Sequence, residues 1–248
     1  MRRVYATTLA LVTALSVVSM QAAQQAGAAA PQAGAAAPQA DASRKVAGGG
    51  ITAAGWKGKV DAAEATKGAT INDSKFAQQG AELRINNGPA AIYWRPADTA
   101  SGSYTVSATF TEPKYMSSND HPHPYGVFIG GQDLDTEKAS LLYCTPYGNG
   151  TFIVRGFGPA TFTPGTGGRR PVANEAVKKA ETGGSVTQEV AWVVTPDKAD
   201  CKINGTVVAS FPKADLVGAG KLTSLDGIAG IRVAHNVDVN VTNFKVTK

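Results

Sequence analysis

A chain of 248 residues that is 43% hydrophobic and 17% charged, with 28 Gly, 13 Pro and two Cys, is too apolar and too weakly charged for a disordered polyelectrolyte. Its formal charge of +5 shrinks on inspection: Arg2 and Arg3 belong to a leader, which leaves +3, and Asp41, Arg44 and Lys45 belong to a linker, which leaves +2 for residues 49–248. So small a balance predicts no basic surface for nucleic acid.

Residues 1–23 read as a secretory signal peptide. Arg2-Arg3 supply the positive start, and the apolar run at 6–20 is about 15 residues long, short of the roughly 20 that cross a bilayer. The expected location is secreted or periplasmic, with no membrane span after signal removal. Residues 24–50 read as an Ala/Pro/Gln/Gly-rich linker, in which QAGAAAP occurs twice in tandem, at Gln25–Pro31 and Gln32–Pro38. The repeat offers nothing larger than Ala to bury, and its Pro and Gly oppose a helix, so an extended, solvated spacer is expected. Gly48-Gly49-Gly50 ends it, leaving one domain at 51–248, ample for a single core.

Within that domain the hydrophobic period is two. Short strand-like runs occur at 81–86, 90–95, 103–110, 125–130, 139–145, 151–157, 190–194, 228–234 and 237–242. Asn204-Gly205, between Cys201-Lys202-Ile203 and Thr206-Val207-Val208, signals a type I′ hairpin, because both residues tolerate positive φ. Only 173–181 (ANEAVKKAE) reads as helix. Roughly a dozen strands in a chain of this size imply an all-β fold, a two-sheet antiparallel sandwich, expected as a monomer. Cys144 and Cys201 can form one intramolecular disulfide in an oxidising compartment; the alternative is two separate buried thiols.

The strand pattern, the I-N-G-T-V-V hairpin at 203–208 and the closing G-I-R-V-A-H-N-V-D-V-N-V-T-N-F at 230–244 resemble a concanavalin A-like jelly roll. More narrowly they resemble laminin-G-like and 3-keto-disaccharide-hydrolase-type domains of secreted bacterial proteins, over about 51–248. Such domains include lectins, glycosidases and adhesive modules. The resemblance therefore implies a carbohydrate or glycoside as partner and leaves the activity open.

Alternation nominates the ligand-binding residues. If Ile92 and Trp94 face the core, then Tyr93 and Arg95 face out. The same choice with Val127/Ile129, Leu142/Cys144, Phe152/Val154 and Ile231/Val233 inside puts Phe128, Tyr143, Arg155 and Arg232 outside. Tyr93, Arg95, Tyr143 and Arg155 would then form an aromatic and cationic floor for a sugar, with Tyr125, Tyr147 and Asn149 at its edges. His121-Pro122-His123-Pro124 is stiffened by its prolines and suits a groove rim, which nominates His123. Its His-x-His spacing also suits a metal site, but only one other histidine exists (His235), and Asp120 or a distant carboxylate would have to complete the set, so no metal ligand is assigned. Asp133-Leu134-Asp135-Thr136-Glu137 has nearly the E-x-D-x-E spacing of glucanases of this fold, but Gly130-Gly131 and Lys138 frame it as a solvated turn. No catalytic residue and no cofactor is therefore expected, with calcium at 133–137 as the alternative. The expected function is non-catalytic carbohydrate binding; the alternatives are a glycoside hydrolase-type enzyme and an adhesive envelope module.

Overall fold

The computed structural model describes residues 42–164 and 170–248. The signal-like leader, the tandem repeat and all but Arg170 of the Gly-rich 165–170 stretch lie outside the described residues. The strands are β1 (Gly50–Ile51), β2 (Lys57–Val60), β3 (Lys75–Gln79), β4 (Glu82–Asn86), β5 (Ala91–Ala100), β6 (Tyr104–Glu112), β7 (Tyr125–Gln132) and β8 (Ser140–Pro146). They continue with β9 (Thr151–Phe157), β10 (Val172–Ala173), β11 (Val186–Val194), β12 (Lys198–Ile203), β13 (Thr206–Pro212), β14 (Gly227–Val233) and β15 (Asp238–Thr247).

Two sheets face each other, as the alternation requires. One has eight strands in the order β1-β3-β4-β15-β6-β11-β12-β13, the other seven in the order β10-β9-β8-β7-β14-β5-β2. Apart from the short β1–β3 pair, which is parallel, the strand pairs are antiparallel. Between the sheets Val106, Phe110, Trp192 and Val241 of one meet Val127, Ile129, Leu142 and Ile231 of the other, all buried. Phe110 stacks on Tyr125 at 5.5 Å and Phe76 on Tyr93 at 4.5 Å, ring centre to ring centre. Asn204 and Gly205 both take positive φ, 50° and 84°, in the tight turn between β12 and β13.

Two expectations change. The segment 173–181 is not a helix. Gln188 accepts from the Lys178 N–H at 3.1 Å and donates to the Lys178 carbonyl at 2.8 Å, and Asn204 donates to the Ala176 carbonyl at 2.7 Å. Side-chain amides thus satisfy the backbone that a helix would have satisfied, and nine residues are too few to hold a helix on propensity alone. Residues 42–50, assigned to the linker by composition, run along the body: Arg44 donates its N–H to Asn236 Oδ1 at 2.9 Å, and Val46 donates to the Asp73 carbonyl at 3.0 Å.

A disulfide joins Cys144 of β8 to Cys201 of β12, linking the two sheets through the core. With the partners 57 positions apart in sequence, cross-linking constrains the unfolded chain by roughly 4 kcal/mol in the chain-entropy account. A Cys144→Ser/Cys201→Ser double variant is expected to lose stability of that order in denaturant unfolding. Equal midpoints for variant and parent would show that the bond contributes nothing.

Glu112, at the end of β6, is buried beside Tyr115 and Tyr125 with one N–H, from Met116, at 3.4 Å. Burial pushes its carboxyl up to about 7 from an ordinary 4.5, although the Met116 hydrogen bond opposes this. The folded-state value lies above the unfolded one. Between pH 4.5 and 7 the unfolded chain therefore releases the proton while the folded chain keeps it, and stability falls as pH rises through that window. Glu112→Gln is expected to flatten the decline between pH 5 and 8 by on the order of 2 kcal/mol in urea unfolding. Parallel pH profiles for the two proteins would contradict this.

Candidate functional site

The outer face of the seven-stranded sheet is apolar too. Ile92, Trp94, Phe128, Leu141, Tyr143 and Ile153 form a second buried cluster there, joined by Leu134 from the β7–β8 loop. Glycines make this two-sided packing fit. Gly58 of β2 has no room for a Cβ, which would sit 2.8 Å from the Tyr93 ring on the core side. Gly230 of β14, between Trp94 and Phe128 in register, would carry its Cβ 2.6 Å from the Phe128 ring on the outer side.

β5 therefore has the opposite parity to the one expected. Tyr93 points inward, fully buried, and donates its hydroxyl to Asn87 Oδ1 at 2.6 Å, whereas Ile92 and Trp94 point outward. Arg95 follows Tyr93. Its guanidinium lies 5.2 Å from the Trp56 ring centre and 5.7 Å from that of Phe244, and holds Asp98 at 2.6 and 2.9 Å. Tyr125 is in the core against Phe110. Tyr93, Arg95 and Tyr125 are thus structural, because β5 is apolar at every position from 91 to 94 and Tyr125 begins a strand buried on both faces.

The remaining five, His123, Tyr143, Tyr147, Asn149 and Arg155, share a cavity of about 660 Å³ on the outer face. Its floor is Tyr143 and Thr145 of β8 with Ile153 and Thr151 of β9. Tyr147, Asn149, Arg155 and Arg170 line it on the β9 side, and His121, His123 and His235 stand along the loops before β7 and after β14. Arg232 of β14 lies between them; sequence parity placed it outside but did not nominate it. Arg170 is not among the expected residues, and His235 enters the sequence reading only in connection with a metal. His235 carries no local signal for a pocket, and Arg170 sits in a loop whose path alternation cannot give.

Arg232 is the best-held group. It pairs in a fork with both oxygens of Asp61, with Nη2 at 2.6 Å from Oδ2, and its guanidinium lies 5.3 Å from the ring centres of both Tyr143 and Phe157. Burial opposes its charge, but Asp61 outweighs burial and holds Arg232 above its ordinary value. Tyr143 also meets Phe157 edge-on at 5.6 Å. Burial, helped by Tyr143, pushes the Tyr147 hydroxyl up to about 12, so it stays a hydrogen-bond donor at neutral pH. The described lining holds three arginines and no carboxylate.

At the rim one ligand atom from each of His121, His123 and His235 lies within 4.8 Å of the others, a cluster able to coordinate a metal ion. Imidazole nitrogens do not suit calcium, which takes oxygen ligands. The acidic stretch at 133–137 lies elsewhere, with Asp135 2.9 Å from Lys57 and Glu137 3.5 Å from Lys59, both on β2. Among the described residues it forms no grouping of metal ligands. Glu137 lines a separate cavity of about 410 Å³ with Lys59 and Asp61.

No family model and no curated protein matches the chain. Solved structures do. A carbohydrate-binding module CBM66 from Bacillus subtilis matches at 8% identity over 80% of this chain and 99% of that one, with a TM-score of 0.48. A Bacillus subtilis protein of unknown function with a galectin-like fold matches at 12% identity over 77% and 88%, with a TM-score of 0.49. Trypanosoma rangeli sialidase matches at 15% identity and a TM-score of 0.42 over 69% of this chain and 26% of that one. At these values the likeness assigns no activity to this chain.

Removing the carboxylate of Asp61 leaves a buried guanidinium uncompensated, a change that costs about 3 kcal/mol or more. Asp61→Ala is therefore expected to lower unfolding stability by that much. A loss under about 1 kcal/mol would mean that solvent reaches Arg232 and replaces the carboxylate.

Proposed function

We propose that this is an exported carbohydrate-binding module whose ligand is an acidic sugar, held in the cavity on the outer face of the seven-stranded sheet. The observation that carries the reading is the composition of that cavity: tyrosine rings and Ile153 at its base, the hydroxyl of Thr151, and three arginines with no carboxylate among the described lining. Tyrosine faces suit the C–H surface of a pyranose, and hydroxyls suit its ring substituents. The guanidinium groups of Arg155 and Arg170 suit a carboxylate or sulfate on that sugar, Arg232 being held by Asp61. Tyr143, Tyr147 and Arg155 are the proposed contacts, with His123 buried in the wall behind them. Tyr143 is only 6% exposed, so its share is an edge of the ring, and Tyr147 and Arg155 offer more surface.

Hydrolysis by paired carboxylates is not supported, since Asp135 and Glu137 face lysines away from this cavity. Export is supported by the leader-like N-terminus and by the disulfide, which persists in oxidising compartments. Among the described residues no helix is long and apolar enough to cross a membrane.

The test is a panel of soluble oligosaccharides, uronate-containing, sulfated and neutral, titrated against the full chain. An acidic sugar is expected to bind, with affinity falling at least tenfold in Tyr147→Ala and roughly 10–100-fold in Arg155→Ala, the range expected for a charged hydrogen bond. Binding of neutral sugars at equal strength would remove the acidic specificity. Silence across the panel would remove the carbohydrate reading itself.

A further inference from the structure

The three histidines at the rim come from two separate segments, and the tautomer of each is set by what its Nδ1 touches. His123 Nδ1 lies 2.6 Å from the backbone oxygen of His235. A carbonyl only accepts, so Nδ1 carries the hydrogen and Nε2 the lone pair. His121 Nδ1 lies 2.5 Å from Asp120 Oδ1, and donation to that carboxylate again places the lone pair on Nε2. Ser43 donates its hydroxyl to Glu64 Oε2 at 2.9 Å, so toward His235 Nδ1, 3.3 Å away, it accepts. His235 then also carries its lone pair on Nε2.

These lone pairs converge. Nε2 of His121 and Nε2 of His123 are 2.8 Å apart, the distance of an N–H···N hydrogen bond, so the two nitrogens share a proton at a position that a metal ion can take instead. His123 and His235 lie 4.2 Å apart, ring centre to ring centre, and the ligand atoms of the three rings fall within 4.8 Å of one another. Each ring is oriented from behind by a carboxylate, a carbonyl or a hydroxyl, the arrangement that fixes metal-binding imidazoles elsewhere. Tetrahedral ligands at zinc–nitrogen bond lengths sit about 3.3 Å apart, so the close pair needs to open by about half an ångström. The His121 ring is exposed and has room to do so.

We propose that His121, His123 and His235 form a binding site for a zinc-class divalent ion whose remaining coordination positions face the cavity. Three imidazoles select a borderline first-row cation over calcium or magnesium. Three protein ligands leave a fourth position open, and all three histidines line the cavity, so an oxygen of a molecule bound there can reach the ion. The site stands on the histidine geometry alone, whatever ligand the cavity takes.

The experiment uses the full chain, stripped with EDTA, dialysed and titrated with zinc chloride and separately with calcium chloride, with no sugar present. One zinc per chain is expected, with a dissociation constant of about 1 μM or tighter, and no saturable calcium binding. His121→Ala and His235→Ala should each weaken zinc at least tenfold while the circular dichroism spectrum stays as in the parent. Cobalt(II) should give visible absorption bands in the parent that disappear in His235→Ala. His123 is left intact because its ring also ties a loop through the His235 carbonyl. Absence of zinc binding overturns the proposal. Zinc bound equally well by both variants places the ion elsewhere and overturns it too. A calcium isotherm abolished by the same variants overturns the assigned class of ion. Sugar binding is measured separately, so failure of the metal site and failure of the carbohydrate reading are distinguishable.

Discussion

Arg232 stands on the outer face of the seven-stranded sheet with its guanidinium forked onto Asp61 and flanked by the rings of Tyr143 and Phe157. A buried cation of this kind is tolerated only with a partner in good geometry. That requirement ties β14 to the segment after β2 and holds the aromatic base of the cavity at a set height. Tyr143 packs from β8 and Phe157 from β9, across the intervening β7, so one ion pair links β14, β8 and β9 with the loop that carries Asp61. The cavity opens beside this group, where β8 and β9 turn from buried aromatics to Thr145, Thr151 and Arg155.

Much of the architecture was legible in the sequence, because on β6, β11 and β15 one face is buried and the other is polar. There the alternation of Tyr104, Val106, Ala108 and Phe110 with Ser and Thr reports the inside directly. The seven-stranded sheet is harder. Its strands are buried on both faces, so β7 and β8 read as continuous apolar runs and parity has to be chosen by judgement. The choice holds for Tyr143, Arg155 and Arg232, where a charged or polar neighbour breaks the run. It fails at Ala91-Ile92-Tyr93-Trp94, where the next residue, Arg95, shares the inward parity of Tyr93 and lies against Trp56 at the sheet edge, so its charge does not mark the outer face. Gly58 and Gly230 carried the missing information: each marks the face on which a large ring crosses the neighbouring strand.

The candidate site was only half visible for a related reason. His123, Tyr143, Tyr147 and Arg155 meet because β8, β9 and the loop before β7 are neighbours in the sheet order, which periodicity does not give. His235 joins them only through the register of β14 against β7, which brings the end of one beside the start of the other. Ser43, read as linker by composition, reaches the same corner and contacts both His235 and Glu64. Chemistry assembled from the ends of strands far apart in sequence leaves little local trace.

The central claim is that the outer face of the seven-stranded sheet, and not the eight-stranded sheet, receives the ligand. Amide chemical-shift mapping of the 15N-labelled protein against an oligouronate tests it most directly. The account predicts shifts concentrated at Thr145, Tyr147, Thr151, Arg155 and Ala234, around one cavity. Shifts confined to the exposed face of β11, β12 and β13, or an unchanged spectrum at saturating sugar, would contradict it.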